Sequence, residues 1–410
     1  MKIGVWIDGQ VDKNSGGSYT YINTLIKGID DFNFTSPIEI VFISLNPLTG
    51  FNLPCINLKP HQDGISFFKK ALRKTLKIIS KEFFHKAIDA IDQKEKRIKD
   101  ESGAAYLKNE GVKIIFYPMP ASHIINGIPF ILNNWDLAHF TTYSFPEITD
   151  NSGFHKRNDW FVNTVPYAIM VLCETEAGKK ELSSYLNLNP DKIRVLPMFS
   201  SNNFTNAEVS IERQKGFLKK LALKEQHFFF YPAQFWAHKN HYHLIKAFKQ
   251  FVHEYPDFKL VLCGSDKGNI AYIRDCVKRL ELEKNVIFSG FIEDDVLYAL
   301  YKNASALIMP TFLGPSNIPP LEALSLNCPI LCSNLEGHVE MLNNAALYFN
   351  PLDDNSILDS MKAIMDKSTR EQLLQNQSEQ LKITHHNIEK ALIKLEAHFN
   401  EAINIRSCWE

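Results

Sequence analysis

The 410-residue sequence carries almost no charge imbalance: 45 Lys and Arg stand against 46 Asp and Glu, a net −1 with histidine neutral. Without a basic excess there is no global attraction for a polyanion, so nucleic acid is not an expected partner. There is no C-x-x-C pair. The seven cysteines, Cys55, Cys173, Cys263, Cys276, Cys328, Cys332 and Cys408, are odd in number and scattered, which speaks against a disulfide framework or a zinc site and for a reducing cytoplasm. No stretch reaches the ~18–20 uninterrupted apolar residues of a membrane span. The opening MKIGVWIDGQ has neither a long apolar core nor a small-residue cleavage site, so no signal peptide is expected. Three missing motifs narrow the chemistry further. The first apolar run is not followed by G-x-G-x-x-G, which argues against a dehydrogenase, and no G-K-[ST] follows a glycine-rich loop, which argues against a P-loop triphosphatase. No D-x-D occurs, so a divalent ion clamped by paired aspartates is not expected, and no metal or other cofactor is called for.

What is present is an alternation of short apolar runs with longer amphipathic stretches, the pattern of a parallel sheet covered by helices. KIGVWI, IEIVFIS, VKIIFYP, PFILNNWD, AIMVLCE and IRVLPMF read as strands of a first set. After the polar stretch SSNNFTNAEVS the alternation restarts with HFFFYPA, FKLVLCG, NVIFSGF, ALIMPTF, PILCSN and AALYFN. The length also suits two domains. The expected architecture is therefore α/β, two tandem doubly wound, Rossmann-like domains facing a central cleft, with ligands at the carboxyl ends of the strands. The boundaries are read as 1–200 and 201–385, followed by a terminal amphipathic helix in NIEKALIKLEAHFNEAI.

One stretch departs from this alternation. Within FFKKALRKTLKIISKEFF, six basic residues from Lys69 to Lys81 precede the first acid, Glu82. Helical spacing sets Phe68, Leu72, Leu76 and Ile79 on one face. The plain reading is a solvated helix with its apolar stripe in the core. The sharper one is a basic surface at 67–81 that touches anionic lipid headgroups, which would make the protein peripheral at the inner face of the membrane.

Four segments fall at strand carboxyl ends. In DKNSGGSYTYINTL, Gly16 and Gly17 let backbone amides approach a ligand, and Ser18 is a candidate helix cap. In NNWDLAHFTTYSFPE, Asp136 and His139 are a carboxylate and an imidazole able to hold hydroxyls or manage a proton, or else a turn cap and a buried core histidine. In FFFYPAQFWAHKNHYHLIKAF, Lys239 precedes an amphipathic helix and offers a compact positive charge for a diphosphate. His238, His241 and His243 nearby, lacking an adjacent carboxylate or cysteine, fit no usual metal-ligand spacing. In TFLGPSNIPPLEALSLNCPI, Pro319 or Pro320 suits the first turn of a helix. The amides near Asn317 and Ile318 would then face an anion, and Glu322 lies one turn along, where a carboxylate can accept hydrogen bonds from a ribose diol.

Taken together, GGSYTYINTL, WDLAH, QFWAHKNHYHLIKAF and GPSNIPPLEALSLNCPILCSN, in this order, resemble the group 1 glycosyltransferases, the large retaining family 4 of GT-B fold. The likeness is strongest from Phe228 to about Asn350. It implies a nucleotide-sugar donor, UDP- or GDP-linked, held mainly by the second domain, and a glycan or lipid-linked acceptor on the first. It also implies a C-terminal helix, 386–410, that crosses back to the first domain. On this resemblance Glu322 would hold the ribose, Lys239 would neutralise the diphosphate, and Gly17 would face the donor phosphates.

Three positions depart from the family pattern. Gly314 stands where a glutamate contacts the donor sugar, Gln234 where an arginine precedes the lysine, and Trp135 where a histidine precedes the aspartate, with His139 as its substitute. Ser316 and Asn317 are the residues expected to bind what Gly314 does not. Two other functions fit the same scaffold: a sugar-nucleotide epimerase or phosphorylase, and a non-catalytic two-lobed nucleotide-sugar-binding protein, the latter favoured by the missing charges.

Overall fold

The computed structural model describes residues 1–7, 17–35, 37–58, 101–120, 123–150, 153–199, 209–314, 316–384 and 388–409. Gly16 and the basic stretch 67–81 lie outside the described residues. Seven strands form one sheet: β1 (Lys2–Trp6), β2 (Glu39–Ser44), β3 (Cys55–Asn57), β4 (Val112–Tyr117), β5 (Phe130–Asn133), β6 (Met170–Cys173) and β7 (Ile193–Val195). A second sheet contains β8 (Phe228–Pro232), β9 (Lys259–Cys263), β10 (Val286–Gly290), β11 (Ala306–Met309), β12 (Ile330–Ser333) and β13 (Leu347–Phe349). Their spatial orders are β3-β2-β1-β4-β5-β6-β7 and β10-β9-β8-β11-β12-β13, and every pairing is parallel.

Such strands are covered on both faces, which is why they read as unbroken apolar runs. Phe228, Phe229, Phe230 and Tyr231 are all fully buried in the second core, and Ile114, Ile115, Phe116 and Tyr117 in the first domain. In each sheet the strand order reverses beside the first strand, between β1 and β4 and between β8 and β11, and this opens a crevice at the carboxyl ends. Two Rossmann-like domains of GT-B arrangement result.

Three local readings are refined. Strand β3 was not anticipated, because it is only three residues long and begins with the exposed Cys55. Ser18 lies inside the helix Gly17–Asp31 instead of capping it. The helix Ile318–Ser325 starts one residue before the first of its two prolines, with Asn317 in extended conformation at its N-cap.

The terminal helix, Ile388–Arg406, packs on the first domain. Ala391, Leu392, Leu395, Phe399, Ala402 and Ile403 recur at helical spacing and join the core that contains Ile3, Leu25 and Phe116. Gly28 permits the close approach, since a Cβ there would lie 2.7 Å from Ile388 Cγ1 and 3.1 Å from Leu392 Cδ1. Polar ties hold the rim: Arg194 donates from Nε and Nη2 to the two carboxylate oxygens of Glu401, and His398 Nε2 donates to the Val195 carbonyl at 3.1 Å. Among the described residues no helix is long and apolar enough to cross a membrane.

Candidate active site

The loop after β8 ends in a short turn, Ala237–Lys239, that Asn240 stops by entering the left-handed region at φ 57°. Asn240 then secures the turn by donating from Nδ2 to the carbonyls of Pro310 and Pro351, at 2.9 and 2.7 Å, and the buried Tyr231 hydroxyl donates to the Lys239 carbonyl at 2.8 Å. The Lys239 backbone is thus fixed from three strand ends. Its ammonium reaches across and donates to Asn317 Oδ1 at 3.1 Å. Burial pulls its pKa down to about 8, opposed by the carboxylates of Asp136 and Glu147. Among the described residues no carboxylate lies within ion-pair distance of Nζ. At neutral pH it remains a mostly protonated charge next to a helix N-terminus, where an anion is favoured.

Asn317 does not cap its helix with its side chain. Its Nδ2 lies 2.9 Å from His338 Nε2 and 3.3 Å from the Leu313 carbonyl. Gly314 has φ +126°, and a Cβ built there would fall 2.5 Å from Asn317 Nδ2 and 2.6 Å from the Ser316 carbonyl oxygen. Ser316 turns to the other domain, its hydroxyl donating to Glu174 at the end of β6. Gln234 is engaged locally: Trp236 Nε1 donates to its Oε1 at 2.9 Å, and its Nε2 meets Ser265 Oγ at 3.4 Å.

Glu322 is buried one turn into the Ile318 helix and accepts from the Tyr301 hydroxyl at 2.7 Å. Burial raises its pKa to about 7, Tyr301 opposes the rise, and the charge of Asp294 adds to it. A carboxyl held near neutrality gains much from any further donor, as a diol would supply.

From the first domain, Asp136 Oδ1 accepts from the Ala138 amide at 2.8 Å and pairs with Arg157. Its charge is felt by Lys239, His238 and Glu174. His139 faces elsewhere. Its ring lies among Phe140, Phe154 and Phe161, at centroid distances of 4.1, 5.7 and 5.0 Å, and both ring nitrogens are buried with no partner among the described residues. Burial brings its pKa to about 4, so the ring is neutral. Trp135 packs edge-on against Tyr21 at 5.7 Å. Glu174 is fully buried, and burial with the nearby Asp136 charge pushes its pKa well above the usual range.

The domains meet around this cluster. Glu147 receives both the His238 amide and ring Nδ1. Glu340 accepts from the amides of Glu176 and Ala177 at 2.7 and 2.9 Å, where the helix Glu176–Leu186 begins. Gly17 lies against the tip of the Ile318 helix, its would-be Cβ 3.3 Å from Ile318 Cδ1. The structure therefore gathers Gly17, Asp136, Lys239, Ser316, Asn317 and Ile318 where the domains meet, buries Glu322 one turn further along against Tyr301, holds Gln234 within its own loop, and turns His139 into an aromatic pocket. The three loop histidines diverge: His241 sits between Tyr231 and Phe235, whereas His238 and His243 pair with Glu147 and Asp354. Sequence reasoning missed Glu147, Glu174, Tyr301 and His338. For Glu174 a signal existed, a carboxylate closing the apolar run AIMVLCE.

Comparison with known proteins points the same way. Residues 212–381 match the profile of the family described as Glycosyl transferases group 1. O-antigen chain mannosyltransferase RfbU of Salmonella typhimurium is 29% identical over 194 residues, 47% of this chain and 50% of that protein. The chain spans about half the length of the curated relatives it matches. Among solved structures, a glycosyltransferase from Rickettsia africae aligns over 98% of both chains at TM-score 0.67 and 15% identity. Anabaena HepE in complex with UDP and glucose aligns over 98% of this chain and 100% of its own at TM-score 0.68 and 12% identity. At such identities these two likenesses concern the fold.

Proposed function

From the match of residues 212–381 to the glycosyl transferases group 1 profile and the geometry around Lys239, we propose that this chain is a glycosyltransferase that moves a sugar from a nucleoside diphosphate sugar to a glycan or lipid-linked acceptor. The observation that carries the reading is Lys239: a half-buried ammonium without a carboxylate partner among the described residues, held at the N-terminus of the Ile318 helix. A diphosphate leaving group would complete its charge pairing. Glu322 would accept the ribose hydroxyls, in place of or beside Tyr301.

In the proposed reaction the bond between the anomeric carbon and the β-phosphate oxygen breaks, and a bond to the acceptor oxygen forms on the same face, with retention. The acceptor proton passes to the departing phosphate. Charge developing on that phosphate is met by Lys239 and the helix dipole, so the proposal requires no divalent ion. Of the two candidate proton-handling groups, Asp136 faces the cleft charges, whereas the His139 nitrogens are enclosed. The basic stretch 67–81, outside the described residues, is the proposed contact with anionic headgroups. RfbU, an O-antigen chain mannosyltransferase, makes mannose the first donor sugar to try.

The test is a thermal-shift screen against UDP, GDP, ADP and their sugars, followed by transfer to extracted lipid-linked glycans with EDTA present. A true donor raises the melting temperature of the wild type by mass action and far less in Lys239→Ala and Glu322→Ala. Loss of a charge-assisted contact of ~1.5–3 kcal/mol weakens diphosphate binding by roughly 10- to 100-fold. Equal binding by both variants, or turnover of the donor to an epimer without acceptor, overturns the reading.

A further inference from the structure

A lysine ammonium sits on four flexible carbons, so a fixed position for it needs an anchor. Here the anchor is a neutral carbonyl oxygen, Asn317 Oδ1, at 3.1 Å. A carboxylate in that place would hold the chain equally well and cancel the charge that a diphosphate needs. We propose that Asn317 and His338 are positioning residues that present the Lys239 ammonium to the donor diphosphate, and that residue 314 is glycine because the Asn317 amide fills the space its side chain would need. The inference rests on the reading of Lys239 given above.

The polarity of the chain of contacts follows from its far end. His338 is fully buried, and its Nδ1 lies 2.9 Å from the Ser333 carbonyl, which can only accept. Nδ1 therefore carries the proton. Burial holds the ring neutral, with a pKa of about 4, so Nε2 presents a lone pair. Asn317 Nδ2, 2.9 Å away, must donate to it, which turns Oδ1 to Lys239. One backbone carbonyl at the end of β12 thus fixes an amide orientation that would otherwise be free to flip, and with it the direction of a cation two side chains away. Gly314 completes the arrangement: at 2.5 Å from Nδ2, any Cβ would push the amide off His338. The glutamate that the family resemblance places at this position has no room here, and the amide is what stands in its stead.

The experiment measures the preference for diphosphate over monophosphate by calorimetry, using UDP with UMP and GDP with GMP. Wild type prefers the diphosphate. Asn317→Ala and His338→Ala each lower that preference about tenfold, the worth of one charge-assisted hydrogen bond. In a Lys239→Ala background neither substitution changes the preference further, the non-additivity expected of residues that act through one group. Asn317→Asp sets a carboxylate beside Nζ and moves the pH at which diphosphate affinity fades upward from about 8. Of the other groups facing Lys239, Asp136, Glu147, His238 and His241 make no contact with Asn317, whereas His338 Nε2 loses the Asn317 donor in that variant. If His338→Ala does not fold, Gly314→Ala tests the same contact and must give the same loss. A wild type without diphosphate preference overturns both the function proposed above and this inference. A preference that depends on Lys239 but not on Asn317 or His338, or single effects that add fully to Lys239→Ala, overturns this inference alone.

Discussion

Glu147 of the first domain accepts two hydrogen bonds from His238 of the second, one from the backbone amide at 2.9 Å and one from ring Nδ1 at 2.6 Å. Both side chains are about a tenth exposed. Burial depresses the His238 pKa, with Glu147 only partly offsetting it, so the imidazole donates as a neutral ring. For Glu147, burial pushes the pKa up, but the contacts from His238 outweigh it and bring the carboxyl below its ordinary value.

Both shifts predict a clasp that weakens in acid. A group with a depressed native pKa stabilises above its unfolded value and loses that stability as pH falls through the native one. The unfolded values are 6.5 for His238 and 4.5 for Glu147. Melting temperature should therefore decline from neutral pH downward, first with the histidine and then with the carboxylate. Glu147→Gln should lower stability at neutral pH by about 1–3 kcal/mol and remove the carboxylate's part of the acid decline while leaving the histidine's. An unchanged pH profile in that variant would refute the assignment.

Glu322 predicts the opposite slope. Its native pKa of about 7 lies above the ordinary 4.5, so its contribution is full below 4.5 and is lost as pH rises towards 7. Glu322→Gln, which cannot ionise, should be the more stable protein at alkaline pH, by up to roughly 3 kcal/mol. The same variant should bind nucleotide poorly. Chemical denaturation on both sides of neutrality separates the two effects.

His139 is predicted to be replaceable as a packing residue. Its enclosed ring, with a pKa of about 4 against 6.5 unfolded, costs stability as pH falls from 6.5 towards 4. His139→Leu removes two unpartnered buried nitrogens and should resist acid better than the wild type. A fall in transfer rate of about a hundredfold or more, with the fold intact, would instead assign the ring to proton transfer.

The sheets were legible because both of their faces are covered: each apolar run long enough to fill a doubly buried strand could be read directly. What escaped was either too short for a pattern, as with β3, or made by residues distant in sequence. Nothing in GPSNIPPLEA announces that Asn317 meets His338, or that Glu147 waits for His238 some ninety positions on. Gly314 stood out as an anomaly in the sequence, but its cause, the Asn317 amide, needs three dimensions. Asp136 and His139, three residues apart, both read as groups able to hold hydroxyls or manage a proton; the turn between them sends one towards the charge of Lys239 and the other into a nest of phenylalanines.

Phe399 carries a final prediction. Fully buried, it meets Phe34 and Phe116 at ring distances of 5.9 and 5.5 Å. Phe399→Ala should cost about 3–5 kcal/mol, and Gly28→Val should produce a comparable loss by forcing Ile388 and Leu392 away. Urea denaturation followed by Trp6, buried in the first domain, reads both. An unaltered midpoint would mean that the terminal helix is not part of that core.

That same helix bears on biosynthesis. A nascent chain usually completes its leading domain while the trailing one is still on the ribosome. Here Leu395, Phe399 and Ile403 belong to the core that β1 and β4 begin. The leading domain must keep that face uncovered until the whole of the second domain and the helix after it have been translated.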